Sequence, residues 1–178
     1  RYEAAVAAAV AALVRERNAE IVFLSTCQGI PKYLYDDSLI ADRICERLEP
    51  DVLRAVRVDH DFHTPAALMT ALRDFDFAIS TRMHMAILGL CAGLPVLPIA
   101  YEFKTTELYK TMGQDEWVTD NSAIDREAFR EMVEEESVAI LAGLDDERAA
   151  DVLEEMDPDD AADILNEIPE DIRVRLLQ

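Results

Sequence analysis

The densest chemistry in the chain lies in nine residues, Asp76-Phe77-Ala78-Ile79-Ser80-Thr81-Arg82-Met83-His84. The apolar part reads as a strand, Phe77 to Ile79, that ends near Ser80. The apolar run from Met83 to Ala92 reads as a helix, with Ser80 or Thr81 available as its N-cap. Arg82 and His84 then stand in the first helical turn. Backbone N–H groups and the helix dipole favour an anion at that place. An arginine there offers a bidentate fork to phosphate or carboxylate. A histidine two residues on can bond the same anion or hand a proton to a leaving group. The bland alternative is a surface ion pair for Arg82 and a structural role for His84. Two cationic groups heading an almost wholly apolar helix favour the anion, because unpaired charge is costly beside a buried element.

Three further groups fall after apolar strands. Tyr101-Glu102-Phe103-Lys104 follows the strand Pro95 to Ala100. Lys104 can add charge to the anion site, and Tyr101 or Glu102 can position a substrate; simple solvation of the loop explains Lys104 equally well. Gln28-Gly29 and Asp36-Asp37 follow the first strand, and helix capping alone accounts for the aspartates. His60 and His63 hint at a metal, but too weakly to assign one. The chain has no Gly-x-Gly-x-x-Gly, no P-loop and no Gly-x-Ser-x-Gly, which sets aside ordinary nicotinamide enzymes, P-loop enzymes and α/β-hydrolases.

The elements that must carry these groups alternate. Helices are expected at Tyr2 to Arg17, Asp36 to Leu48, Thr64 (as cap) to Arg73, Met83 to Ala92 and Thr106 to Met112, with a polar one from Asp125 to Glu135. Strands are expected at Ile21 to Ser25, Val52 to Val58, Phe77 to Ile79 and Pro95 to Ala100, with a last short one at Trp117-Val118. That alternation calls for a parallel sheet covered by helices on both faces, with ligands beyond the carboxyl ends of the strands.

Beyond Ser137 the pattern changes to a 12-residue period, in which Leu144, Met156 and Ile168 align, as do Val152, Ile164 and Leu176. The helices it implies are too short to stand alone. Charge follows the same division. Residues 1–118 hold 12 Lys+Arg and 17 Asp+Glu, whereas residues 119–178 hold 5 and 20. An acidic tail speaks against nucleic acid as a partner. No apolar run reaches the roughly 18 residues of a membrane span. Cys27, Cys45 and Cys91 have neither disulfide nor metal spacing and read as small buried hydrophobes. With no signal segment, they predict a reducing, cytoplasmic setting. A first residue Arg1 that enters directly on a helical pattern predicts a fragment beginning mid-protein.

Gln28-Gly29, Asp36-Asp37, the Ser-Thr-Arg-Met-His block, Gly93-Leu94-Pro95-Val96, Tyr101-Glu102-x-Lys104 and Met112-Gly113, in that order, resemble the C-terminal part of the polysaccharide pyruvyl transferase family over about residues 1–135. The resemblance implies a Rossmann-like α/β domain, one half of a GT-B-like fold, over residues 1–136, followed by a small all-helical repeat segment over 137–178. It implies transfer of a pyruvyl group from phosphoenolpyruvate to sugar hydroxyls as a ketal, with no tightly bound cofactor. It assigns Arg82 and His84 to donor contact and acid catalysis; Lys104, Tyr101, Glu102, Gln28, Gly29 and Asp37, placed after the strands, are expected to bind substrate. The acceptor would be a cell-surface polysaccharide or its lipid-linked precursor; attachment at a membrane surface through that precursor and a homo-oligomer are left open. The family normally has a further N-terminal domain. The tail resembles the intracellular N domain of MgtE-type magnesium transporters, which implies Mg²⁺ at carboxylates such as Asp157, Asp159, Asp160 and Asp163. Two other functions remain in play: a GT-B-like glycosyltransferase using a nucleotide sugar, and a non-enzymatic Mg²⁺-sensing or interaction module on an α/β scaffold.

Overall fold

The computed structural model describes residues 2–28, 36–101, 103–113 and 115–120, with Glu170 and Val174. They form two compact units that divide between Phe62 and His63. The expected helix Asp125 to Glu135 and the 12-residue repeats lie outside the described residues.

The first unit runs α1 (Tyr2–Arg17), β1 (Ile21–Phe23), α2 (Asp37–Cys45), α3 (Pro50–Leu53) and β2 (Val56–Val58). β1 and β2 pair in parallel, Ile21 opposite Val56 and Phe23 opposite Val58. Val6, Ala7 and Val10 of α1 share a core with Ile44 and Val52. Helix α1 stops where expected, and Asn18 follows it in the left-handed region at φ 54°, a conformation asparagine tolerates. Two expectations shift. Helix α2 ends at Cys45 rather than Leu48, because the N–H groups of Arg47 and Leu48 fold back to the carbonyls of Ile44 and Cys45 at 3.0 Å each. The strand expected from Val52 begins only at Val56. Pro50 holds the first position of α3 with Asp51 in its first turn, a combination that starts helices, and Val52 enters the core from that helix.

Ion pairs cross the surface of this unit. Arg15 grips Asp51 through Nε at 2.9 Å and Nη2 at 3.1 Å. Glu3 accepts from Arg47 at 2.7 Å and Arg43 at 2.8 Å. The Arg47 and then the Arg43 hydrogen bonds hold the Glu3 carboxyl below its ordinary value. A carboxylate so depressed stabilises the fold at pH values above its unfolded pKa, and the effect disappears as pH falls through its lower folded value. Glu3→Gln should therefore melt slightly lower than the parent at neutral pH, with the gap closing on acidification. The gap stays small because exposed pairs contribute little; melting curves across pH check this.

The second unit runs α4 (Pro65–Leu72), β3 (Ala78–Ser80), α5 (Met83–Cys91), β4 (Val96–Ala100), α6 (Phe103–Thr111), a single 3₁₀ turn at Asp115–Trp117 and β5 (Thr119–Asp120). The strand order is β3-β4-β5, all parallel. Helix α4 starts as its sequence dictates: Thr64 caps it by accepting from the Ala67 N–H at 3.3 Å, and Pro65 follows at the first position. Helix α6 begins at Phe103, three residues before expectation. The last strand also moves. The Val118 N–H bonds the Asp115 carbonyl at 3.2 Å, which closes a turn with a group a ladder would need, and pairing starts at Thr119.

The core of this unit is α5 laid on β4. Residues Ala86 to Cys91 are all buried, as is the whole of β4. Burial pushes the Cys91 thiol up to about 12, so it serves as an inert apolar side chain. Tyr109 of α6, 1% exposed, donates its hydroxyl to the Val96 carbonyl at 3.2 Å. Helix α5 ends in a Schellman motif: Leu94 N–H to Gly89 carbonyl and Gly93 N–H to Leu90 carbonyl, both 2.9 Å, with Gly93 at φ 78°. Gly89 has no room for a side chain, since an added Cβ would sit 2.6 Å from Val96 Cγ2. Gly89→Ala should therefore destabilise the unit by roughly 1–3 kcal/mol through overpacking, despite alanine's better helix propensity. A lowered denaturation midpoint at unchanged slope would show it; no loss would mean Val96 yields.

Candidate functional site

β3 and β4 are neighbouring parallel strands, with Ser80 in register with Pro98. The residues just past their carboxyl ends therefore open side by side, where α/β sheets present ligands. Arg82 lies two residues beyond Ser80, and Tyr101 directly follows Ala100. Arg82 Nη1 stands 3.5 Å from the Tyr101 hydroxyl. That is long for a hydrogen bond, so the contact sets the two side chains together without locking them.

Arg82, not Ser80 or Thr81, is the N-cap of α5, with φ −102° and ψ 121°. The reason is a turn centred on Ser80. Its hydroxyl donates to the Arg82 carbonyl at 2.8 Å and accepts from the Arg82 N–H at 3.2 Å. Both groups of the residue two positions on are held, and the helix begins after it. Arginine has no acceptor to offer, and α5 carries no side-chain cap. By contrast Asp36 caps α2 by accepting from Ser38 N at 2.9 Å, and Thr64 caps α4.

His84 is the second residue of α5 and is exposed; Lys104 is the second residue of α6 and is exposed as well. Tyr101 is 50% and Phe103 74% exposed. Arg82, His84, Tyr101 and Lys104 are thus all carried by the segments that follow β3 and β4. Glu102 and Gly29 lie outside the described residues. Gln28 and Asp37 belong to the first unit. The Gln28 side-chain amide donates to the Asp59 carbonyl at 3.3 Å, and the Asp37 N–H donates to the Cys27 carbonyl at 3.1 Å. His60 Nε2 lies 3.3 Å from Asp42 Oδ1. Among the described residues no three His, Cys, Asp or Glu side chains group as a metal site would need. Sequence reasoning missed the role of Ser80 and the exposure of Phe103. A Ser-Thr pair closing an apolar strand was the available signal for the first.

These features define a parallel α/β unit that presents cationic side chains at the carboxyl ends of its strands. The chain belongs to the polysaccharide pyruvyl transferase family, whose model matches residues 2–102. It is 32% identical over 119 residues, 67% of its length, to the amylovoran biosynthesis protein AmsJ of Erwinia amylovora, of which it spans 28%. Residues 117–178 match the model of the MgtE intracellular N domain. No solved structure matches the chain. Among the described residues no helix is long and apolar enough to cross a membrane.

Proposed function

We propose that residues 1–136 are the donor-binding domain of a pyruvyl transferase that uses phosphoenolpyruvate, and that the anion sits at the head of α5. The observation that carries this reading is Arg82 as N-cap. Where α2 and α4 supply their own acceptor, α5 supplies a cation beside N–H groups without a side-chain acceptor. A bound phosphate or carboxylate completes that cap and meets the guanidinium at once. Lys104 adds positive charge, and Tyr101 and Glu102 position the substrate. Membership of the family supports the reaction class, and the AmsJ likeness supports a role in polysaccharide biosynthesis.

The enol carbon of the donor forms two bonds to hydroxyl oxygens of one sugar, and its bond to the phosphate oxygen breaks. Of the two hydroxyl protons released, one ends on the methylene carbon, which becomes a methyl group, and one on the departing phosphate. His84 hands the proton to that leaving group. The acceptor is a cell-surface polysaccharide or its lipid-linked precursor, and the setting is cytoplasmic. Calorimetric titration with phosphoenolpyruvate tests the reading: Arg82→Ala should weaken binding by about 10- to 100-fold, the range of a lost charge-assisted hydrogen bond. Binding that ignores Arg82 would overturn the reading, and tighter binding of a nucleotide sugar would move the chain to the glycosyltransferase reading.

The match of residues 117–178 to the MgtE domain supports a second reading for the tail. There Asp157, Asp159, Asp160 and Asp163 fall within seven residues of sequence and supply carboxylate oxygens, the ligand type of a hard cation. Millimolar Mg²⁺ should raise the melting temperature over that in chelator, and deletion of residues 137–178 should abolish the difference. Identical melting with Mg²⁺ and chelator removes this reading.

A further inference from the structure

Both units leave their first strand through the same turn. After β1 the chain reads Leu24-Ser25-Thr26-Cys27, and at the end of β3 it reads Ile79-Ser80-Thr81-Arg82. The Ser25 hydroxyl donates to the Cys27 carbonyl at 2.8 Å and accepts from the Cys27 N–H at 3.0 Å. Ser80 makes the same two bonds to Arg82 at 2.8 and 3.2 Å. Ser25 is 6% and Ser80 4% exposed. The turns match in bonding and burial but not in what they hold. In the first unit the clamped residue is Cys27, and the next helix starts only at Asp37. In the second the clamped residue is the helix cap and the site's arginine.

From this difference we infer that Ser80 is a positioning residue: its hydroxyl fixes the backbone of Arg82 and so aims the guanidinium at the place where the anion binds. The direction of a Cα–Cβ bond is set by φ and ψ, and Arg82 has its N–H and carbonyl both tied to one buried oxygen. A long side chain leaving a fixed base has fewer placements to lose when it meets its ligand. The contact between Arg82 Nη1 and the Tyr101 hydroxyl then reports the aim without any ligand. The inference rests on the phosphoenolpyruvate reading only for the identity of that ligand.

Ser25→Ala is the built-in control, because it removes the same pair of bonds from a turn that holds no cation. Four proteins are compared: the parent chain, Ser80→Ala, Ser25→Ala and Arg82→Ala. Each is titrated with phosphoenolpyruvate, and the NMR signals of the Tyr101 ring are recorded without ligand. Ser80→Ala should lose about tenfold in affinity and move the Tyr101 signals toward those of Arg82→Ala, while Ser25→Ala changes neither. If both serine variants lower the melting temperature and neither alters affinity or the Tyr101 ring, Ser80 is structural only and the inference falls. If the parent does not bind phosphoenolpyruvate, the donor reading fails, and the Tyr101 signals alone decide the role of Ser80. Should Ser80→Ala not fold, the parent decides: the Arg82 amide must exchange with solvent at least about tenfold more slowly than an unprotected amide, and unprotected exchange overturns the clamp.

Discussion

The candidate site depends on how closely α5 lies on β4. Gly89 faces Val96 with no space for a single added carbon, and the helix is buried from Ala86 to Cys91. Such contact fixes the height and rotation of the helix over its sheet, because packed interiors do not deform continuously. The head of the helix is then fixed as well, and with it the distance between Arg82 and the loop that leaves β4. Tyr109 bonds the same residue, Val96, through its backbone, so α5 and α6 are both referenced to one point of β4. The two segments that carry the cationic side chains share that origin.

Capping turns this rigid placement into a chemical asymmetry. A helix N-terminus must find acceptors for its first N–H groups. α2 and α4 find them in Asp36 and Thr64. α5 places a cation at that position, and the hydroxyl that could have capped it is engaged with the Arg82 backbone. The head of α5 thus combines an arginine at the cap position with the absence of a side-chain cap hydrogen bond. Salt bridges such as Arg15–Asp51 and Glu3 with Arg43 and Arg47 tie the helices of the first unit by exposed ion pairs. Both units have a buried apolar core, and in the second that core is the face that seats α5 on β4.

Much of this was legible in the sequence. Where a boundary is written in local chemistry, pattern and structure agree: Thr64-Pro65 opens α4, Gly93 closes α5, and α1 spans the residues its apolar spacing marks out. Boundaries failed where apolar residues suit two states. Val52 reads as strand beside Val56 and Val58, yet Pro50 places it in a helix. Trp117-Val118 reads as strand, yet a backbone bond to Asp115 folds it into a turn. In the candidate site, the sequence singled out Arg82, His84, Tyr101 and Lys104, and the structure carries all four on the segments after β3 and β4, but the sequence could not tell which residue would be the cap. Gln28 and Asp37 read as substrate-side groups; both lie in the first unit, where the Gln28 amide meets the Asp59 carbonyl and the Asp37 backbone N–H meets the Cys27 carbonyl.

The sequence by itself determined the alternation of helix and strand, the parallel class of sheet, the acidic character of the tail and the side chains able to meet an anion. These are local or compositional properties, set by the period of apolar residues, by caps and glycines, and by counting charge. The tertiary structure alone decided that Arg82 and Tyr101 meet, because strand order and register are long-range. It also decided that Ser80 spends its hydroxyl on the arginine backbone. That choice depends on where the strand ends and how deeply the turn is buried, and neither is encoded in the nine residues around it.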